Sequence, residues 1–120
     1  MKKTVVFDFD GVIHSYTTGW NGDPAFMPDP PVEGIKEAIE QIRKAGYEVA
    51  VVSTRCITNY GRDALINYLN KYGIKVDGVY KEKPPAIVYI DDRAICFDGD
   101  TKTLLDKIEN FKTWYQKDGE

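Results

Sequence analysis

The chain has 120 residues, 42% of them hydrophobic and 29% charged, and this size and balance predict a single globular domain over residues 1–120 with one core. Its formal net charge of −3 and its pI of about 5.2 give no sign of the basic surface that a nucleic-acid or membrane partner requires, and no apolar run approaches the roughly 20 residues of a membrane span. The first residues lead straight into a strand rather than an export signal, so the predicted compartment is the cytoplasm and both cysteines are interpreted as free thiols.

A buried strand of β-branched and aromatic residues is predicted over Thr4–Asp8, and two carboxylates and a glycine follow at its end. Asp8 and Asp10 are two positions apart, so on an extended backbone their side chains leave the same face while Phe9 points into apolar packing. Gly11 lets the chain turn with a backbone angle that other residues resist. The functional crevice of an open parallel sheet lies at the carboxyl ends of its strands, which is where this pair is predicted to lie. A turn without function is the plainer interpretation of the same residues.

Strand and helix patterns alternate over the rest of the chain. An irregular segment, residues 14–31, holds four of the six prolines and resists both structures. After it, apolar spacing and stop signals predict, in order, a helix from 31 to 46, a strand over 47–52, a helix over 58–72, a short strand within 74–80, a buried strand over 86–90 and a helix over 100–116. The core-facing stripe of the last helix comprises Leu104, Ile108, Phe111 and Tyr115, and the tail beyond it is predicted to fray. This alternation predicts a Rossmann-like three-layer α/β/α sandwich with a central parallel sheet.

A second acidic pair, Asp91 and Asp92, follows the apolar run 86–90. If both strands lie in one parallel sheet, four acidic groups crowd one edge of it. Two unit charges about 4 Å apart repel by roughly 4 kcal/mol at an effective dielectric of 20, so such a cluster requires a cation. Ligands that are all oxygen, with no clustered Cys or His, indicate Mg²⁺ rather than zinc.

At these residues the chain resembles the haloacid dehalogenase superfamily, whose members are mostly magnesium-dependent phosphatases that form an aspartyl-phosphate. The first motif of that family, Asp-x-Asp-Gly-x, stands here as residues 8–12. The resemblance implies a hydrolase of phosphoric monoesters. It also implies a minimal member without a cap domain, because the stretches between the motifs have no room for one.

The resemblance assigns the second and third motifs to two further positions. The second is a Ser or Thr at the end of a strand that binds the phosphoryl group, which makes Ser53 the best match and Thr54 the alternative. The third is a lysine that neutralises the nucleophile and the phosphate. Lys83, stiffened by the proline after it, is preferred over Lys81.

The remaining roles follow from the same resemblance. Asp8 would attack phosphorus, and Asp10 would protonate the leaving alcohol and then deprotonate the hydrolytic water. The predicted metal ligands are Asp8, Asp10, Asp91 and Asp92. Asp91 is assigned as the direct ligand of the second pair, with Asp92 as a further ligand or outer-shell partner.

The irregular segment 14–31 is interpreted as a flap beside the site. Tyr16 and Trp20 are candidate substrate contacts, as are Arg55 and His14, although a lone histidine in such a loop is more often solvated or structural. The expected partner is a phosphorylated substrate, small or macromolecular. A second copy of the chain that covers the open site is the other expected partner.

Three alternatives stay open. Cys56 and Arg62 show the Cys-x5-Arg spacing of cysteine-dependent phosphatases, but Arg55 and Asp63 stand where that family usually has His and Ser or Thr. The other two keep the aspartate site: phosphotransfer to an acceptor other than water, or binding of a phosphorylated ligand without turnover.

Overall fold

The computed structural model describes residues 2–116, and a four-stranded sheet lies at its centre. The strands are β1 (Thr4–Asp8), β2 (Glu48–Val52), β3 (Gly78–Tyr80) and β4 (Val88–Ile90). The helices are α1 (Ile35–Lys44), α2 (Asn59–Lys71) and α3 (Leu104–Glu109), with a 3₁₀ helix at Thr54–Ile57. All strand pairs are parallel, in the order β3-β2-β1-β4, which confirms the predicted α/β fold with a central parallel sheet.

The register of the sheet brings three strand ends to one edge. Phe7 of β1 pairs with Val51 of β2 on one side and with Ile90 of β4 on the other. Parallel strands in this register finish together, so the residues that follow β1, β2 and β4 emerge side by side.

The main core lies on one face of the sheet. Phe7 and Val51 of the sheet are packed there with Ile39 of α1 and with Leu65 and Leu69 of α2. Two successive right-handed crossovers in the same direction place both helices on this face. The opposite face carries a smaller cluster of Val6, Ala50 and Val52, packed against Ala86.

The helices begin and end where local backbone chemistry dictates. The first predicted helix begins four residues late, because Gly34 has a left-handed backbone (φ 83°) that cannot continue a helical turn. The Thr58 side chain accepts a hydrogen bond from the Gly61 amide at 3.2 Å and caps α2. Among residues 2–116, no helix is both long and apolar enough to cross a membrane.

Two predictions for the C-terminal third are wrong in part. β4 is shorter than predicted and half-exposed rather than buried, since it pairs only with β1 at the sheet edge. The last helix is six residues long instead of seventeen, and Ile108 is 61% exposed rather than in the core. Polar side chains capture backbone groups on both sides of it: Asp98 accepts the Asp100 amide, and the Asn110 side chain donates to the Asp106 carbonyl. The part of the tail beyond Gln116, which the sequence predicts to fray, lies outside the described residues.

Asp77 joins α1 to the sheet just before β3. Its carboxylate accepts hydrogen bonds from Arg43 (Nη2, 3.0 Å) and from the Val49 amide (2.8 Å). The hydrogen bond from Arg43 holds the pKa of Asp77 below its ordinary value. The carboxylate is therefore charged and paired near neutral pH.

We expect Asp77→Ala to lower the free energy of unfolding at pH 7, because a part-buried amide without a partner costs about 1 kcal/mol or more. Urea unfolding measures the change. A carboxylate with a lowered pKa stabilises the fold above its unfolded pKa and loses this effect as pH falls through the folded value, so the difference from wild type should shrink in acid. Asp77→Asn, which keeps an oxygen for Val49, is the milder control; equal stability of all three proteins at pH 7 would contradict the assignment.

Candidate functional site

Three carboxylates converge at the carboxyl edge of the sheet. Asp8 is the last residue of β1, and Asp91 and Asp92 follow β4 directly. One oxygen from each lies within 4.8 Å of the others. The parallel pairing of β1 with β4 therefore produces the acidic group that the sequence predicts.

The acidic group is electrostatically strained in the absence of a cation. Burial and the neighbouring charges of Asp91 and Asp92 raise the pKa of Asp8 to about 8. The Oδ1 atom of Asp92 is buried and has no hydrogen-bond partner among residues 2–116. An all-oxygen donor set with an orphaned carboxylate oxygen fits a hard divalent cation such as Mg²⁺.

Gly11 is required for this geometry. Its backbone is left-handed (φ 82°), and a Cβ at this position would collide with the Asp92 carboxylate and with the Tyr115 ring. The glycine after the first acidic pair thus allows the chain to pass close behind the second pair.

The Asp10 side chain takes part in a different network. It accepts hydrogen bonds from Arg55 (Nε to Oδ2 2.8 Å, Nη2 to Oδ1 3.1 Å), and its Oδ1 lies 2.8 Å from His14 Nδ1. Burial raises the pKa of Asp10, but these hydrogen bonds outweigh it and leave that pKa below its ordinary value. Of the four predicted metal ligands, the structure therefore groups three, and the Asp10 carboxylate points to Arg55 and His14 instead.

Arg55 and His14 are buried side chains that hold the segment 14–31 in place. Arg55 is 2% exposed and also donates to the carbonyls of Pro24 (2.9 Å) and Phe26 (3.0 Å). His14 is fully buried, and its Nε2 accepts the Asp29 amide at 3.1 Å, so its Nδ1 bears the proton given to Asp10. This favours the structural role that the sequence left open for His14. Neither the burial of Arg55 nor its pairing has a signal in the sequence.

A cavity of about 500 Å³ opens beside the acidic group. Its lining comprises Asp8, Asp10, Tyr16, Trp20, Ser53, Thr54, Arg55, Asp91 and Arg93. Trp20 is 57% exposed, and its ring lies 5.2 Å from the Arg55 guanidinium carbon. Ser53 is buried at the end of β2, where its Oγ accepts the Arg55 amide at 3.2 Å and keeps its own hydrogen to donate.

Lys83 lies beside the acidic group, next to Asp91. Its Nζ is 3.6 Å from Asp91 Oδ2 and 5.3 Å from the centre of the Tyr89 ring. Burial raises the pKa of Asp91, but hydrogen bonds with the Arg93 amide and with the Asp92 side chain, together with the Lys83 charge, outweigh it and lower that pKa. Both lysines are exposed, but the ion pair of Lys83 with Asp91 favours Lys83 over Lys81.

The geometry around Cys56 counts against a thiolate enzyme. Cys56 is packed in the main core with Phe7 and Val51, and it is not part of the cavity lining. Burial raises its pKa despite the opposing charge of Arg62. Arg62 lines a separate groove beside Ile66 and Asn70.

The C-terminal segment supplies contacts that the sequence did not predict. Tyr115, expected on a core-facing helix stripe, donates its hydroxyl to Asp92 Oδ2 at 2.7 Å. Trp114 donates its indole N–H to the Gly11 carbonyl at 2.6 Å. The two contacts join residues that are 103 and 23 positions apart in the chain, and no local pattern indicates them.

Comparisons with known proteins locate the fold but not the activity. No protein-family model and no curated protein matches the chain. Among solved structures, a chain of the Pnkp1/Rnl/Hen1 complex matches with a TM-score of 0.56 and 19% identity, over 95% of this chain and 36% of that chain. D,D-heptose 1,7-bisphosphate phosphatase from Burkholderia thailandensis matches with a TM-score of 0.41 and 27% identity, over 66% of this chain and 52% of that chain.

The first likeness supports the fold alone, at 19% identity, and the second has a TM-score too low to support a conclusion. The chain spans about a third to a half of the solved chains that it matches. The functional interpretation therefore depends on the geometry of the site.

We expect Asp8→Asn to stabilise the protein in EDTA at pH 8 and to remove stabilisation by added Mg²⁺. A carboxyl whose folded pKa is raised from 3.8 to about 8 stabilises the fold below the lower value and loses this effect as pH rises through the higher one, so at pH 8 wild type bears the repulsion that the amide avoids. Each change of about 1 kcal/mol in the free energy of unfolding shifts the Tm by ~4 °C for a domain of this size.

Thermal unfolding with EDTA or Mg²⁺ measures both effects. Asp63→Asn, on the exposed face of α2, is the control and should respond to Mg²⁺ as wild type does. An Asp8→Asn protein that still gains stability from Mg²⁺ would show that the cation binds elsewhere.

Proposed function

We propose that the chain is a magnesium-dependent phosphomonoester hydrolase that acts through an aspartyl-phosphate on Asp8. The observation that supports this most is the convergence of Asp8 with Asp91 and Asp92 at the mouth of a cavity lined by Ser53. A carboxylate nucleophile beside two further carboxylates suits phosphoryl transfer only when positive charge offsets the repulsion. This is the function that the sequence resemblance implies.

The roles proposed for the side chains follow from their positions. Mg²⁺, when bound by Asp8, Asp91 and Asp92, would neutralise the acidic group and the phosphoryl oxygens. The Asp8 carboxylate attacks phosphorus, the bond from phosphorus to the leaving alcohol breaks, and water later cleaves the acyl phosphate. Ser53 donates its hydroxyl to a phosphoryl oxygen, with Thr54 exposed beside it, and Lys83 adds positive charge next to Asp91.

Asp10 is proposed as the general acid and general base. Its two hydrogen-bonded oxygens and lowered pKa keep it anionic, so it can accept a proton from the hydrolytic water, as a weaker base than an ordinary carboxylate. Protonation of the leaving alcohol by the same group requires Asp10 first to gain a proton while Arg55 pairs with it. The geometry thus supports the base role of Asp10 more directly than its acid role.

The volume of the cavity and the aromatic side chains that line it indicate how the organic group of the substrate binds. A volume of about 500 Å³ exceeds what a phosphate occupies, so part of the organic group also enters. Trp20 and Tyr16 are proposed to contact that group, because both line the cavity and Trp20 is largely exposed. A second copy of the chain over the open side remains part of the proposal.

Two alternatives use the same site. A phosphotransferase would hand the phosphoryl group from Asp8 to an acceptor other than water, and a binding protein would hold a phosphorylated ligand without turnover. All three functions would keep the pairing of Asp10 with Arg55 and His14, so measurement of phosphate release is what separates them.

We expect the purified chain to release phosphate from p-nitrophenyl phosphate with Mg²⁺ and to lose this activity in EDTA. Asp8→Asn should reduce kcat to background, because the amide cannot attack phosphorus. Cys56→Ser should keep the activity, since this thiol lies in the core. Colorimetric assay at matched protein concentration measures all three.

The opposite pattern, activity indifferent to EDTA and to Asp8→Asn but lost in Cys56→Ser, would overturn the proposal in favour of a thiolate mechanism. Phosphate retained on wild-type protein without release would instead indicate transfer to another acceptor.

We expect Trp20→Ala to reduce kcat/KM for p-nitrophenyl phosphate about tenfold and to leave that for glycerol phosphate nearly unchanged, because stacking on an aromatic side chain contributes roughly 1–3 kcal/mol. Trp20→Phe keeps a ring and should retain most of the preference. Equal losses with both substrates would show that Trp20 acts only by covering Arg55.

A further inference from the structure

The segment after α3 lies directly behind the acidic group. Residues 113–116 form a turn closed by Gln116, whose Oε1 accepts the Thr113 amide at 2.8 Å and lies 3.3 Å from the Thr113 hydroxyl. From this turn Trp114 bonds to Gly11 and Tyr115 bonds to Asp92. The turn therefore contacts both the loop after β1 and the loop after β4.

The contact with Asp92 fixes one oxygen of a carboxylate and leaves the other without a partner. Tyr115 donates its hydroxyl to Oδ2 at 2.7 Å, while the buried Oδ1 is unpartnered among the described residues. Next to two like charges, an untethered carboxylate would rotate toward solvent to reduce repulsion. The tyrosine hydroxyl opposes this rotation and keeps Asp92 facing Asp8 and Asp91.

Other contacts hold the tyrosine itself in place. The indole N–H of Trp114 reaches the Gly11 carbonyl at 2.6 Å, so the turn is anchored to the glycine that leaves room for Asp92. The Tyr115 ring meets the Tyr16 ring edge-on, with centroids 6.4 Å apart. Because these two contacts restrain the Tyr115 ring, its hydroxyl is directed at Asp92 more firmly than that of a mobile side chain would be.

We infer that Tyr115 is a positioning residue for the cation, holding Asp92 in the orientation in which its free oxygen joins those of Asp8 and Asp91. The segment 113–116 is thereby part of the site, although it lies outside the three motifs and the second acidic pair. This inference depends on the metal site of the proposed function. Outer-shell partners of metal-binding carboxylates typically contribute 10- to 100-fold in metal affinity.

Calorimetric titration of the purified chain with Mn²⁺ alone tests the inference without any turnover. Tyr115→Phe removes one hydroxyl and keeps the ring, and we expect it to raise the Kd for Mn²⁺ about tenfold. Tyr68→Phe is the matched control, because it also removes a short hydrogen bond, from its hydroxyl to the Asp29 carbonyl (2.8 Å), in the core, where its ring contacts Phe9 and His14. The control should leave the Kd for Mn²⁺ unchanged even if its Tm falls.

A second readout separates positioning from general loosening. In the phosphatase assay, Tyr115→Phe should raise the Mg²⁺ concentration for half-maximal rate by a similar factor and keep kcat at saturating Mg²⁺.

An unchanged Kd in Tyr115→Phe, or an equal rise in Tyr68→Phe, would overturn the inference and leave the proposed function intact. Wild-type protein that binds no Mn²⁺ would contradict the metal site, and with it both proposals.

Discussion

Repulsion among three carboxylates at one sheet edge is the constraint on which the rest of the site depends. The pairing of β1 with β4 brings Asp8 next to Asp91 and Asp92. As a result the pKa of Asp8 rises to about 8, and one oxygen of Asp92 has no hydrogen-bond partner within residues 2–116. Carboxylates crowded in this way beside a cavity indicate a functional site.

A second, compensated charge network lies beside the first. Arg55 reaches from the end of β2 to pair with Asp10 and to bind two carbonyls of the segment 14–31. His14 joins Asp10 to Asp29, and the Thr18 hydroxyl donates to Asp29 at 2.6 Å. The two carboxylates of the first motif therefore have opposite environments, one crowded by negative charge and one paired with positive charge. This separation gives Asp8 and Asp10 different chemistry although they are two residues apart.

The sequence predicts those features that follow from the order of the strands and from the two-residue alternation of side chains along each strand. Asp8, Ser53 and Asp91 could be placed at one edge because each follows an apolar run, and parallel strands end together. The partner of Asp10 could not be predicted, since spacing does not specify which way a side chain turns after its strand ends. Tyr115 was expected to face the core because its apolar spacing resembles a helix, but hydrogen bonds from polar side chains to the backbone, at Asp98 before the helix and at Asn110 after it, shorten that helix at both ends. Contacts such as Tyr115 to Asp92 depend on tertiary placement, which local propensity does not encode.

The central claim is that Asp8 is the nucleophile and shares one cation with Asp91 and Asp92. The most direct measurement is a crystal structure of the chain grown with Mg²⁺ and beryllium fluoride, a mimic of the phosphoryl group. We expect a beryllium fluoride adduct on Asp8 and a metal ion bound by oxygens of Asp8 and Asp91, with Asp92 facing it. An adduct on another residue, or a metal ion remote from Asp8, would rule out Asp8 as the nucleophile at a shared metal site.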